Sequence, residues 1–148
     1  MLNIILLVWT AAFAAQHEHP VMGFDLDKTA HHFRLTGTGG RIVVTANNAS
    51  DTASITQIRT HLQHIAHEFA EGRFDAPFAT HGEVPPGVPA MRARKSAIAY
   101  RYEEMQGGGR VVITTADAGA LAAVHEFLQY QIREHKTGDP VTIDRGDR

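Results

Sequence analysis

Histidine is the residue type from which this chain could build chemistry, since ten are present and cysteine is absent. Without thiols there is no disulfide, no thiolate metal site and no cysteine nucleophile, so any metal ion falls to histidine, methionine, carboxylates or backbone groups. The strongest spacing is His61, His64 and His67 in the stretch HLQHIAH. On a helix, side chains three apart are neighbours, so His61 with His64, or His64 with His67, could present two imidazoles to one ion. Gln57, His61, His64 and Glu68 form a stripe in which a carboxylate could complete or orient the set. Two ligands do not make a tight site, and further donors must come from elsewhere. His32 shares a strand face with Arg34, His125 flanks a helical apolar stripe, and His81 stands in a proline-rich connection ahead of Glu83 and Met91. His61, His64, His32, His81 and His125 are therefore the candidate ligands of the folded domain. His31 alternates with Phe33 and Leu35, which predicts a core histidine held by hydrogen bonds. His135 falls near a helix end, where a positive imidazole would favour the C-terminal dipole.

A different coordination chemistry is available at the N-terminus. The run Ile4 to Trp9 reads as the apolar core of an export signal, and Ala12-Phe13-Ala14 as its cleavage pattern, giving a signal peptide over 1–14. The alternatives are a buried N-terminal strand or helix, and translation from Met22 to give a cytosolic form. Cleavage after Ala14 would expose Ala15-Gln16-His17, whose amine, two amides and His17 imidazole can wrap a square-planar Cu(II) or Ni(II) ion.

Composition narrows the function classes. With 14 Lys plus Arg against 16 Asp plus Glu, no electrostatic footprint for nucleic acid appears. The glycine-rich stretch Gly107 to Arg110 lacks the Lys-Ser/Thr of a phosphate-binding loop, and no G-x-S-x-G elbow is present. At 148 residues, 43% of them apolar, the chain can build one core.

The elements that must position the histidines appear twice. His32 to Leu35, a Gly37 to Gly40 turn and Arg41 to Thr45 read as a hairpin; Ala99 to Tyr102, Gly107 to Gly109 and Arg110 to Thr114 repeat it. Each hairpin feeds a helix. Ile55, Ile58, Leu62, Ile65 and Phe69 form one apolar stripe after a cap at Ser50 or Asp51, ending at Gly72. Leu121, Val124, Leu128 and Ile132 repeat the stripe after Asp117, with Gly138 and Pro140 as the stop. This predicts an α+β fold, a duplicated ββα-ββα with a four-stranded, mainly antiparallel sheet and two helices on one face. The expected organisation is a flexible N-terminal segment over 15–27, one domain over 28–140, and a frayed tail over 141–148. Between the halves, Arg73 to Lys95 carries Pro77, Pro85, Pro86 and Pro89 and reads as an irregular crossover.

The stretches KTAHHF (28–33), HLQHIA (61–66), HGEVPPGVPAM (81–91) and HEFLQYQIREHKTGD (125–139) resemble a family of small bacterial proteins that commonly carries the name aspartate carbamoyltransferase. The resemblance spans nearly the whole chain after the signal. A transcarbamoylase holds carbamoyl phosphate with a Ser-Thr-Arg-Thr loop that occurs nowhere here, so that activity is not expected, and the resemblance supplies no catalytic residues.

The reading that joins these features is an exported metal-binding protein that buffers, carries or senses copper, with zinc or nickel as the other fitting ions. It binds no nucleic acid and has no stable membrane anchor, and its action is coordination rather than turnover. The alternative is a non-catalytic module for a small ligand or a protein partner, and a third is a metal-dependent enzyme using a histidine-bound water.

Overall fold

The repeated hairpin-helix grammar folds as two matching halves: β1 (Thr29–Thr36), β2 (Gly39–Ala46) and α1 (Thr52–Ala70), then β3 (Ile98–Met105), β4 (Gly108–Thr115) and α4 (Ala118–Glu134). The computed structural model describes residues 23–143, so the signal segment and His17 lie outside the described residues. The strands form one antiparallel sheet in the order β1-β2-β4-β3, with the two halves meeting along β2 and β4, where Ile42 stands opposite Val111. The expected α+β architecture is therefore the observed one. Among the described residues, no helix is long and apolar enough to cross a membrane.

Local chemistry explains why the helices start where they do. The Asp51 carboxylate accepts the Ser54 N–H at 3.0 Å, and Asp117 accepts the Ala120 N–H at 2.7 Å. Each cap satisfies a donor that the first turn would otherwise leave bare, which stabilises a helix by about 1 kcal/mol. Ile58, Leu62 and Phe69 from α1 and Val124, Phe127 and Leu128 from α4 are buried in one cluster with Phe33, Val44, Val111 and Ile113 of the sheet.

The glycines differ from the sequence reading. Gly39, Gly40, Gly108 and Gly109 are strand residues and not loop. At Gly40 a Cβ would lie 2.2 Å from Leu128 Cδ1 of α4 and 2.5 Å from the Arg34 carbonyl oxygen. At Gly109 it would lie 3.3 Å from Leu62 Cδ1 of α1 and 2.8 Å from a Tyr102 ring carbon. Each hairpin thus offers a bare strand start for a helical leucine to rest on. Gly40→Ala is expected to destabilise the domain by roughly 1–3 kcal/mol through overpacking. A urea midpoint unchanged from wild type would contradict this account of the contact.

Three boundaries also move. The crossover is not irregular, because it contains α2 (Asp75–His81) and α3 (Val88–Ala93). The segment read as flexible contributes Phe24, 2% exposed, to the core, and the Asp25 side chain caps a 3-10 turn at Leu26–Lys28. Beyond α4 the tail runs beside the edge strand, with Ile143 bridging Leu35 in parallel. Such long-range fastening has no periodic signal in the sequence.

Candidate metal centre

Four histidines from four elements line one cavity between the sheet, α1 and α4: His31 of β1, His61 of α1, His81 at the end of α2, and His135 at the C-cap of α4. The remaining lining is mostly apolar, including Phe33, Val44, Ile65 and Phe69, and no Asp, Glu, Lys or Arg takes part. Its volume of about 50 Å³ suits an ion or a molecule of a few atoms. Sites for drug-sized ligands run to roughly 300–1,000 Å³. Residues of α2 roof the cavity with Ala76, Pro77 and Thr80, although that helix buries none of its own residues.

The rings form a row. His31 is stacked between Phe24 at 5.6 Å and His135 at 5.7 Å between ring centres, and Phe24 meets the edge of His61 at 5.3 Å. His81 stands nearly perpendicular to His135, with centres 5.2 Å apart and an interplanar angle of 87°. His81 Nε2 donates to the Gln131 side-chain carbonyl at 3.0 Å, which leaves Nδ1 as the ring nitrogen through which His81 would coordinate. The loop after α2 is fastened nearby, where the Tyr130 hydroxyl donates to Glu83 Oε1 at 2.7 Å.

Burial sets the charge of these rings. It pushes His31 down to about 4, with His135, His61 and His32 adding repulsion. His61 is likewise pushed down to about 4 by burial, with help from His64, and His135 is lowered by burial and then by His81. These three rings are neutral at pH 7 and keep a lone pair available for coordination. His135 is therefore not the helix-end cation expected from its position, since desolvation outweighs the dipole. His31 is not a hydrogen-bonded core histidine either: its Nε2 is buried without a partner, as is Gln131 Nε2. A buried polar atom left bare costs about 1–3 kcal/mol, so both mark places where a bound species would be stabilising.

Of the five sequence candidates among the described residues, the cavity takes only His61 and His81. His64 is exposed on α1 and does not line it. Glu68, expected to support the helix pair, is instead bound to Arg73 at 2.7 Å. His32 points to the opposite side of β1 and pairs through Nδ1 with Asp139 at 3.1 Å, while Asp139 also accepts the Phe33 N–H at 3.0 Å. That carboxylate ties the segment after α4 to the edge strand. His125 Nε2 bonds to the Thr36 carbonyl oxygen at 2.9 Å, away from the cavity. As the rings stand, no group of three or more His, Cys, Asp or Glu that could hold a metal ion occurs among the described residues.

No family model, curated protein or solved structure matches the chain.

Proposed function

We propose that this protein binds a transition-metal ion, copper first, in the four-histidine cavity, and that it carries or buffers that ion outside the cytoplasm after export. The observation that supports this reading is the lining: four imidazoles brought together from β1, α1, α2 and α4 on a wall with no formal charge. Imidazole nitrogen is a good donor to copper, zinc and nickel, and a neutral ring binds without first losing a proton. His81 carries a further mark of a ligand, because its other nitrogen is held by an amide carbonyl that fixes tautomer and orientation. Coordination requires the rings to turn about their side-chain bonds toward one point, with α2 yielding above them.

Metal-free protein titrated with copper and with zinc tests the proposal. One equivalent should be retained through dialysis at micromolar protein, and the retained metal should be lost in His81→Ala and His135→Ala. His64→Ala and His125→Ala should keep it. Absence of retained metal, or retention undiminished by both cavity substitutions, overturns the assignment; in the second case removal of residues through His19 shows whether the N-terminal imidazole is responsible.

A second reading rests on Gln131 Nε2, a buried amide donor that no metal can satisfy. A small uncharged molecule with an acceptor oxygen would satisfy it and fill the apolar remainder. Under that reading the titration finds no metal, and acetamide added at millimolar concentration shifts the Gln131 side-chain amide resonance.

A further inference from the structure

We infer that the chain pairs with a second copy of itself along the free edge of β3, the two sheets joining antiparallel about a two-fold axis at Tyr102. This goes beyond the metal-binding reading above and does not depend on it.

The two edges of the sheet are finished differently. Along β1, Asp139 accepts the Phe33 N–H and Ile143 bridges Leu35, so the segment after α4 covers that edge. At the other edge β3, eight residues long, pairs only with β4 among the described residues. An open edge of that length is a template for another strand, and sheets that must stay single shorten it, cover it or break it with proline or a bulge. β3 contains neither proline nor glycine.

The ladder shows which backbone groups the edge offers. Ala46 N–H donates to the Gly107 carbonyl at 2.9 Å and Thr115 N–H to the Thr38 carbonyl at 2.8 Å. Hydrogen-bonded pairs alternate along an antiparallel ladder, so Gly109, Val111 and Ile113 turn their backbone groups toward β2, and Gly108, Arg110 and Val112 turn theirs toward β3. Their partners Met105, Glu103 and Arg101 therefore face inward. The N–H and C=O groups of Tyr100, Tyr102 and Glu104 are left at the outer edge.

Charge selects the partner and the register. With the axis at Tyr102, that residue exchanges both backbone bonds with its copy, and Tyr100 does the same with Glu104 of the second copy. Tyr100 and Tyr102 pack against the core, so Arg101 and Glu103 project from the sheet face away from the helices. Arg101 then stands opposite Glu103 of the second copy, and Glu103 opposite its Arg101, in the non-hydrogen-bonded pairs where side chains come closest. Moving the axis to Arg101 sets that residue against itself, and moving it to Glu103 does likewise, both with like charges opposed. Charges on an edge strand ordinarily deter pairing. Here they alternate in sign along one face, so they deter the neighbouring registers and favour this one. The Arg101 side chain is 72% exposed and within reach of a second chain, while Arg110 holds Glu103 in place.

Sedimentation velocity of the untruncated chain, from micromolar to submillimolar concentration, tests the inference. A dimer should form across that range. Arg101→Glu and Glu103→Arg each oppose like charges at both contacts and should weaken dimerisation roughly 10-fold or more. Mixed in equal amounts, the two variants regain opposite charges at both contacts and should form a heterodimer close to wild type in affinity, which also shows that each is folded. Glu103→Lys replaces Glu103→Arg if the guanidinium is not tolerated beside Arg110. A monomer at every concentration, a dimer indifferent to both single changes, or no recovery on mixing overturns pairing through β3 in this register.

Discussion

Loading the metal-free protein with copper at about 1,000 times its dissociation constant is expected to stabilise the fold by roughly 4 kcal/mol, since ligand that binds only the folded chain shifts the unfolding equilibrium by mass action. For a domain of this size that corresponds to a rise of roughly 10–20 °C in the thermal midpoint. The size of the effect follows from where the ligands sit. His31, His61, His81 and His135 belong to four elements that the unfolded chain scatters over more than a hundred positions, so an unfolded chain holds no equivalent site. An ion bridging His81 and His135 also staples α2, which buries no residue of its own, to the end of α4. Differential scanning fluorimetry on wild type and His135→Ala reads the outcome. An equal shift in both proteins, or none in either, would remove the cavity as the site.

Acid is expected to unfold the metal-free protein earlier than its carboxylates alone would require. His31 and His61 have folded pKa values near 4 against 6.5 when free, so between those values the unfolded chain binds protons that the folded chain refuses. Unfolding is then favoured as pH falls: the two rings cost nothing above pH 6.5, and their penalty grows downward through the window and is complete below pH 4. Each fully developed shift is worth about 1.4 kcal/mol per pH unit. Because neither ring is wholly enclosed, the two together should remove on the order of 2–4 kcal/mol between pH 7 and pH 5. The carboxylates lowered by caps and ion pairs, such as Asp51, Asp117 and Glu68, lose their contribution only as pH falls through their own lower range. Urea midpoints at pH 7, 6 and 5 separate the two sets. A midpoint flat down to pH 5, or a fall of the same size in His31→Phe and His61→Leu proteins, would show that these imidazoles are not held neutral by burial. Bound metal should flatten the same profile, because coordination occupies the lone pairs that the proton would take.

Much of the architecture was legible along the chain because its causes are local. Leu62, Ile65 and Phe69 recur at helical period, Asp51 and Asp117 cap within three residues, and the two Gly-Arg-β-branched stretches announce matching strands. Of the crossover helices, α2 was missed because it has no buried stripe and no side-chain cap, and α3 because its six residues have no side-chain cap and bury only Val88 and Met91, too short a run to show a period. The candidate site was half legible. Spacing on α1 brought forward His61 and also His64, but three residues turn a helix by about 300°, and the turn that leaves His61 at the margin of the buried face carries His64 about 60° further toward solvent. Neighbours on a helix need not share an environment.

Residue order and type therefore determined the two hairpins, the two long helices and the supply of imidazoles without thiols. Which imidazoles meet was decided only by the tertiary structure. His31 and His135 are 104 positions apart by residue number, yet their rings stack because β1 and α4 pack on the same core. No periodicity spans that separation. It is closed by the burial of Phe33, Leu128 and their neighbours, which is non-directional and indifferent to chemistry, and the cavity's ligand set is a consequence of where that packing leaves each ring.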